Sequence, residues 1–356
     1  MSRFLSDRFA ALSAYTPGEQ PSDMEYIKLN TNESPFPPAP DVIFAVNEPE
    51  LRKLNLYPNP DGAKLLDALA GLYGVGTENV IIGNGSDELL AFAFLAFCDA
   101  ERGVVFADVT YSFYPVYAEL FGIPYKQIPL RDDFTLNPED YYAVNQNIVI
   151  ANPNAPTGIA IPVGDIETIV WCNPGHIVLI DEAYVDFGAE SAIPLVANHD
   201  NLLVVHTYSK SRSMAGARLA YAIGSPSVIS DLNKMKYSFN PYNVNRLTQA
   251  AGVAALRNEA YYDEMRCEII NTRKYTAERL QGLGFYLTDS SANFVFACHP
   301  EYDGYDLYAA LKTKGILVRH FNMPRISGFI RITIGTKAQM DALLAALADI
   351  LSERKE

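Results

Sequence analysis

The order of apolar runs along the chain predicts an α/β fold. It has a large domain built on a mostly parallel sheet with helices on both faces, and a smaller α+β domain. Two observations carry this reading. Between residues 78 and 224, short apolar runs bounded by turn residues alternate with helical stretches, as expected of strands buried on both faces. After about residue 245 the rhythm changes to long amphipathic stretches that bracket a few short strands.

The first 30 residues form an arm that ends in a short extended piece, Tyr26–Leu29. TNESPFPPAP (31–40) is too dense in proline and turn residues for regular structure. ENVIIGNGSDELLAFAFLAFC (78–98) then reads as strand, glycine turn and helix, and GVVFADVTYSFYPVYAELFG (103–122) repeats the pattern. NIVIANPNAPTG (147–158) and HIVLIDEAYVDF (176–187) supply further strands with polar ends. NLLVVHTYSKSRSMAGARLAYAIG (201–224) adds a buried strand, a loop and another apolar strand. In the smaller domain, helical stretches 246–283 and 338–353 flank FVFACH (294–299), GILVRHF (315–321) and FIRITIG (329–335). The expected division is an arm over 1–40, a large domain over 41–245 and a small domain over 246–356, with the arm completing the small domain.

The 356 residues are enough for two domains with cores of their own. With 28 Lys and Arg against 42 Asp and Glu, the net charge of −14 argues against a surface for nucleic acid. Cys98, Cys172, Cys267 and Cys298 have no CxxC or Cys/His spacing, so no metal site is expected and the thiols read as reduced. MSRFLSDRFAALSAY lacks the apolar core of a signal peptide, and no apolar run is long enough to span a membrane. A cytoplasmic protein is expected.

Parallel sheets bind ligands at the carboxyl ends of their strands, and the polar clusters of this chain fall there. HTYSKSRSMAGAR (206–218) sets Lys210 among hydroxyl side chains just after a buried strand. A desolvated lysine is a natural Schiff-base former, whereas the bland alternative is a surface loop with ordinary charges. Thr207, Ser209 and Arg218 can donate to a phosphate. Asp181, at the end of HIVLI, can serve as a helix cap, a metal ligand or the charge partner of a cofactor nitrogen. In the last role, a separation of about 3 Å at an effective dielectric near 20 is worth roughly 5 kcal/mol before desolvation. Tyr184 can then donate to a ring oxygen.

GNGSDELL (83–90) opens a helix with Ser86 and Asp87 in its first turn, offering backbone N–H groups to an anion or simply capping the helix. It is not GxGxxG, because Glu88 holds the third position, so a dinucleotide site is disfavoured. NPNAPTG (152–158) either ends a strand or turns an amide toward a ring oxygen. Arg319 and Arg331 lie in otherwise apolar strands and need partners, either an internal carboxylate or a substrate carboxylate or phosphate. Tyr111, just past a strand, can stack on a flat ring.

Taken in order, these pieces resemble the fold-type I aminotransferases that depend on pyridoxal 5'-phosphate (PLP), and within them the histidinol-phosphate aminotransferase family. The resemblance rests on LNTNESPFPP (29–38), LYPNP (56–60), GNGSDE (83–88), TYSFYP (110–115), NPNAPTG, DEAYVDF (181–187), the Lys210 segment and VRHFNMPRISGFIRITIGT (318–336). It implies a seven-stranded type of sheet, PLP as cofactor, and transamination between L-histidinol phosphate and 2-oxoglutarate in histidine biosynthesis. An aromatic amino-acid aminotransferase, a threonine-phosphate decarboxylase and a nonenzymatic PLP-binding regulator are the rival readings.

Carried over by residue, the resemblance makes Lys210 the Schiff-base and proton-transfer lysine. Asp181 becomes the partner of the ring nitrogen, Tyr184 a donor to the phenolic oxygen, and Tyr111 the stacking ring. Ser86, Asp87, Thr207, Ser209 and Arg218 take the cofactor phosphate. Tyr57 reaches that phosphate from a second subunit, which implies a homodimer with sites at the interface. Arg331 takes the amino donor's carboxylate, Arg319 the substrate phosphate, and Tyr15 and Asn32 line the entrance. The family's usual Asn before Pro-Thr-Gly is Ala155 here, so its role is assigned to Asn154.

Overall fold

The computed structural model describes residues 3–10 and 12–353. Ala11 and the outer ends of the expected arm and small domain, 1–2 and 354–356, lie outside the described residues.

The arm ends in strand β1 (Ile27–Lys28), followed after the proline-rich turn by α1 (Pro40–Ala45), α2 (Glu48–Leu51) and α3 (Ala63–Tyr73). The large domain continues as β2 (Val80–Gly83), α4 (Ser86–Phe97), β3 (Val104–Ala107), α5 (Phe113–Phe121), β4 (Tyr125–Ile128), β5 (Asn147–Ala151), α6 (Val163–Cys172), β6 (Val178–Asp181), β7 (Leu202–Thr207), β8 (Ala220–Gly224) and α7 (Pro226–Phe239). Its seven strands run in the order β2-β8-β7-β6-β5-β3-β4. β8 alone runs opposite to the other six.

Successive residues of the central strands enter opposite cores. Ile180 and Val204 pack with α3 and α6 residues such as Leu65 and Ile166, and with Ala251 of the following helix α8 (Arg246–Leu256). Leu179 and Val205 pack with α4, α5 and α7 residues such as Phe92, Tyr114 and Val228. Burial on both faces explains the unbroken apolar runs.

Beyond α8 (Arg246–Leu256) and α9 (Glu259–Gly282) come β9 (Tyr286–Leu287), β10 (Phe294–Cys298), α10 (Gly304–Thr313), β11 (Ile316–Leu317), β12 (Arg319–His320), β13 (Phe329–Thr333) and α11 (Lys337–Glu353). The order β12-β13-β10-β9 forms an antiparallel sheet, and β1 pairs in parallel with β11. Leu29 of the arm packs into this second core.

The change of core comes later than position 245. Ala251, Ala255 and Tyr262 belong to the large-sheet core, and from Ile269 onward α9 packs in the small one. We therefore propose a domain division inside α9, with α8 assigned to the large domain. The single helical stretch expected over 246–283 is two helices: Arg257 caps the end of α8 and Asn258 stands at the N-cap of α9. No described helix is long and apolar enough to cross a membrane.

Candidate active site

The carboxyl ends of β2, β3, β5, β6 and β7 share one edge of the sheet. Because β8 is antiparallel, its amino end and Arg218 before it reach that edge too. Against this edge lies a cavity of about 420 Å³, closed on the far side by the arm and by β12 and β13. Thirteen of the fifteen residues expected to form the site line it: Tyr15, Asn32, Ser86, Asp87, Tyr111, Asp181, Tyr184, Thr207, Ser209, Lys210, Arg218, Arg319 and Arg331. Tyr57 and Asn154 do not.

Lys210 follows β7 by three residues and is carried into the cavity by the turn Tyr208–Ser211. Its Nζ donates to the Thr31 carbonyl at 3.4 Å and lies 5.7 Å from the centre of the Tyr184 ring. Burial, reinforced by the positive Arg331, brings the ammonium down from 10.5 to about 8. Roughly a tenth of the amine is therefore free at pH 7, far more than for an ordinary lysine.

Asp181 ends β6 and is 5% exposed. Tyr114 Oη donates to its Oδ2 at 3.0 Å and the Ala183 N–H to its Oδ1 at 3.2 Å. Burial nevertheless raises its carboxyl to about 6. Such a carboxylate has an unmet demand for a cation, and none of the described ion pairs involves it. Tyr184 Oη accepts a 2.9 Å hydrogen bond from Asn32 Nδ2, and burial raises its phenol. Asn32 is fixed in turn: it adopts a left-handed backbone (φ 54°), and its N–H donates to Thr333 Oγ1 at 2.9 Å.

An anion cradle lies at the opposite end. Ser86 and Asp87 open α4, whose first N–H groups have no partner within the helix. Arg218 reaches over them from its own left-handed position (φ 54°) and donates to Asp87 Oδ2 at 3.0 Å. Tyr111 Oη donates to the other oxygen, Asp87 Oδ1, at 2.9 Å. Gly85 (φ 83°) leaves room for the guanidinium, since a Cβ there would stand 2.3 Å from Arg218 Nη2. Thr207 Oγ1 donates to Ser209 Oγ at 3.0 Å, which lines up two hydroxyls beside the cradle.

Two arginines face this machinery from the small domain. Arg331 Nη2 donates to the Asn30 carbonyl at 3.1 Å, while its buried Nε has no partner. Its guanidinium sits between the rings of Phe294 and Phe321, at 5.3 and 5.5 Å. Arg319 donates only to the carbonyls of Thr16 and Pro17. Neither arginine has a carboxylate partner among the described residues, so the internal salt bridge is ruled out for them within that set.

Asn154 is turned away from the cavity. Its Nδ2 donates to the Val109 carbonyl at 2.9 Å and to Thr157 Oγ1 at 3.0 Å, and its Oδ1 accepts from Thr110 Oγ1 at 2.7 Å. Both its amide hydrogens are taken up in these bonds, and Pro153 and Ala155 take its place on the cavity wall. Tyr184 is the polar side chain that remains on the cavity wall on that side. Tyr57 is 76% exposed and stacks on Tyr242 at 4.4 Å, outside the cavity of its own chain. Tyr114 was not anticipated. Tyr111 precedes α5 and Tyr114 lies in its first turn, three residues on, and the two rings meet edge to face at 5.6 Å.

A family model described as aminotransferase class I and II matches residues 24–347. The chain is a class I and II aminotransferase. Among curated relatives, the histidinol-phosphate aminotransferase of Marinomonas sp. is 50% identical over 98% of this aminotransferase and 99% of its own length. That of Brachyspira hyodysenteriae is 48% identical over 99% of both chains. Among solved structures, histidinol-phosphate aminotransferase from Sinorhizobium meliloti in complex with pyridoxal-5'-phosphate has 25% identity. It superposes with a TM-score of 0.88, covering 99% of this aminotransferase and 100% of that chain.

Proposed function

We propose that this aminotransferase moves an amino group between L-histidinol phosphate and 2-oxoglutarate, giving imidazole-acetol phosphate and L-glutamate, with PLP as cofactor. The likeness at 48–50% identity to enzymes named for that reaction carries the substrate assignment. The donor set fits the cofactor. A buried carboxylate without a cation, a helix N-terminus with an arginine over it, and a buried lysine of lowered pKa lie in one cavity.

When bound, PLP supplies an aldehyde that condenses with amines and a protonated ring nitrogen that draws in electrons from the substrate carbon. Asp181 holds the proton on that nitrogen, because a buried carboxylate is itself stabilised by the positive charge. Arg218, Ser86, Ser209 and the α4 amides hold the phosphate. Tyr184 would donate to the phenolic oxygen, and Tyr111 would offer its ring face to the cofactor. Lys210 would hold the cofactor through its aldehyde, and its neutral Nζ would move a proton at the substrate carbon, a role worth roughly 10²–10⁴-fold. Arg331 binds the carboxylate of glutamate and Arg319 the phosphate of the other substrate, so one pocket serves both anions.

The exposure of Tyr57, with Ile43, Phe44, Leu54, Leu56 and Phe239 also exposed, supports a homodimer in which Tyr57 serves the partner's site. A panel of single-turnover amine exchanges with histidinol phosphate, phenylalanine and threonine phosphate tests the assignment. Histidinol phosphate is expected to react at the highest kcat/KM, and faster exchange with phenylalanine would overturn the substrate reading.

A further inference from the structure

The two substrate arginines belong to one hairpin whose connecting loop is bolted to the other domain. Arg319 leaves β12, the loop 321–328 follows, and Arg331 lies in β13. At the far end of that loop, Arg325 crosses to the carboxyl edge of β3 and β4. Its Nη1 meets Asp108 Oδ2 at 2.7 Å, and its Nη2 donates to the Leu130 carbonyl at 2.5 Å and to the Arg131 carbonyl. Asp108 is itself set rigidly, because its Oδ1 accepts from the Val109 and Leu130 N–H groups, both at 2.9 Å. The next residue of the loop, Ile326, is 1% exposed among Ala107, Val109, Leu130 and Phe134 of the large domain and Phe296 of β10. The Arg325 guanidinium also lies 5.4 Å from the Phe134 ring centre.

We infer that Arg325, seated on Asp108, is a positioning residue that fixes the reach of Arg319 and Arg331 toward Lys210. This rests on the reading of those arginines as the anion clamp. Asp108 lies three residues before Tyr111, so the bolt ties the hairpin to the segment that carries a wall of the cofactor pocket. The loop has only eight residues between its strands, so a shift at Arg325 is passed to both guanidinium groups. Misplacement of a bound anion by about 1 Å is enough to cost up to 10²-fold in rate.

The test uses the PLP-loaded enzyme and the variants Arg325→Ala, Arg325→Lys and Asp108→Asn. Binding of 2-oxoglutarate by calorimetry is read beside KM, kcat and cofactor absorbance. The expected result for Arg325→Ala is a rise of roughly 10-fold in the Kd for 2-oxoglutarate and in KM, the scale of one lost charged contact. kcat should change less than KM, and cofactor content should be unchanged. Arg325→Lys should recover part of the loss, and Asp108→Asn should add little on top of Arg325→Ala. If Arg325→Ala does not fold, Asp108→Asn carries the same comparison, since an amide oxygen still accepts from both N–H groups. Unchanged Kd and KM in the folded variants would overturn the positioning role. Arg331→Lys serves as the control: if it leaves 2-oxoglutarate binding intact, the anion clamp itself fails.

Discussion

Arg319 and Arg331 stand directly opposite each other in the antiparallel register of β12 and β13, so their guanidinium groups share one face and line one cavity. Two like charges brought together beside apolar rings repel, and burial together with Arg319 lowers the pKa of Arg331. An anion relieves both penalties. Arg331→Lys keeps the charge but loses the planar fork, so KM for glutamate should rise about 10–100-fold with a smaller change in kcat. Arg319→Met should instead weaken the phosphorylated substrate more than glutamate. Steady-state kinetics with each substrate varied in turn separates the two.

The apoprotein should capture PLP in a pH-dependent way set by Lys210. A free amine is required, and burial places half-deprotonation near pH 8 instead of 10.5. The capture rate, followed by absorbance, should therefore climb between about pH 6 and 9. Removing a positive neighbour with Arg331→Met should move that midpoint up. Removing a negative one with Glu33→Gln should move it down. A wild-type midpoint above pH 10 would contradict the buried-lysine reading.

The same lysine should cost the apoprotein stability. Its folded pKa lies below the unfolded one, so the folded state binds fewer protons and the penalty is fully present below about pH 8. A fall from 10.5 to about 8 corresponds to roughly 3 kcal/mol. Apo Lys210→Met should be more stable than wild type at pH 7, and the gap should close as pH rises from 8 toward 10.5. Urea unfolding of both apoproteins at several pH values checks this, and a gap that widens with pH would refute it.

Gly85 should be intolerant of any side chain. At φ 83° a Cβ is strained, and it would also displace the guanidinium of Arg218. Gly85→Ala should weaken PLP binding about 10–100-fold, or ~1.4–2.8 kcal/mol. Substrate KM in PLP-saturated enzyme should change less. Equilibrium titration of apoprotein with PLP measures the first effect.

Much of this was legible before any coordinates, and the reasons are local. Buried strands such as β6 and β7 read as unbroken apolar runs, and each ends in a polar residue, Asp181 or Thr207, that chain geometry must place at one edge. β4 escaped notice because Tyr125, Lys126 and Gln127 are exposed at the sheet edge and leave no apolar run to read. The assignment of Asn154 to a ring oxygen rests on residue type alone, which fits a turn equally well. Which one it serves depends on the Val109 carbonyl and the Thr110 hydroxyl, more than 40 residues away in sequence. Arg325 gave no signal for a similar reason, since its partner Asp108 lies 217 residues earlier.

Tyr57 should act across a subunit boundary. Its own chain gives it Tyr242 to stack on and an Arg246 Nη2 contact at its carbonyl, 3.1 Å, but no place in the cavity. Tyr57→Ala should lower PLP affinity, and Lys210→Ala should be inactive. Refolding the two variants together should restore a fraction of sites with wild-type affinity and activity, because one site of each mixed dimer then has both residues. Activity no higher than that of Tyr57→Ala alone would place Tyr57 outside the partner's site.

Asp181 and Tyr114 should behave as a unit. Asp181→Asn removes the charge that holds the ring nitrogen protonated, and kcat should fall by roughly 10²–10³-fold, the scale of losing one preorganised electrostatic partner. Tyr114 donates to the same carboxylate from a fully buried position and lowers its pKa. Tyr114→Phe should therefore raise the Asp181 pKa in the apoprotein above about 6 and reduce kcat roughly 10-fold, since a hydrogen bond to a charged group is worth about 1.5–3 kcal/mol. In the Asp181→Asn background the tyrosine has no charge left to stabilise, so Tyr114→Phe should add less than about twofold there. Full additivity in this double-mutant cycle would show that Tyr114 acts by packing and not through Asp181.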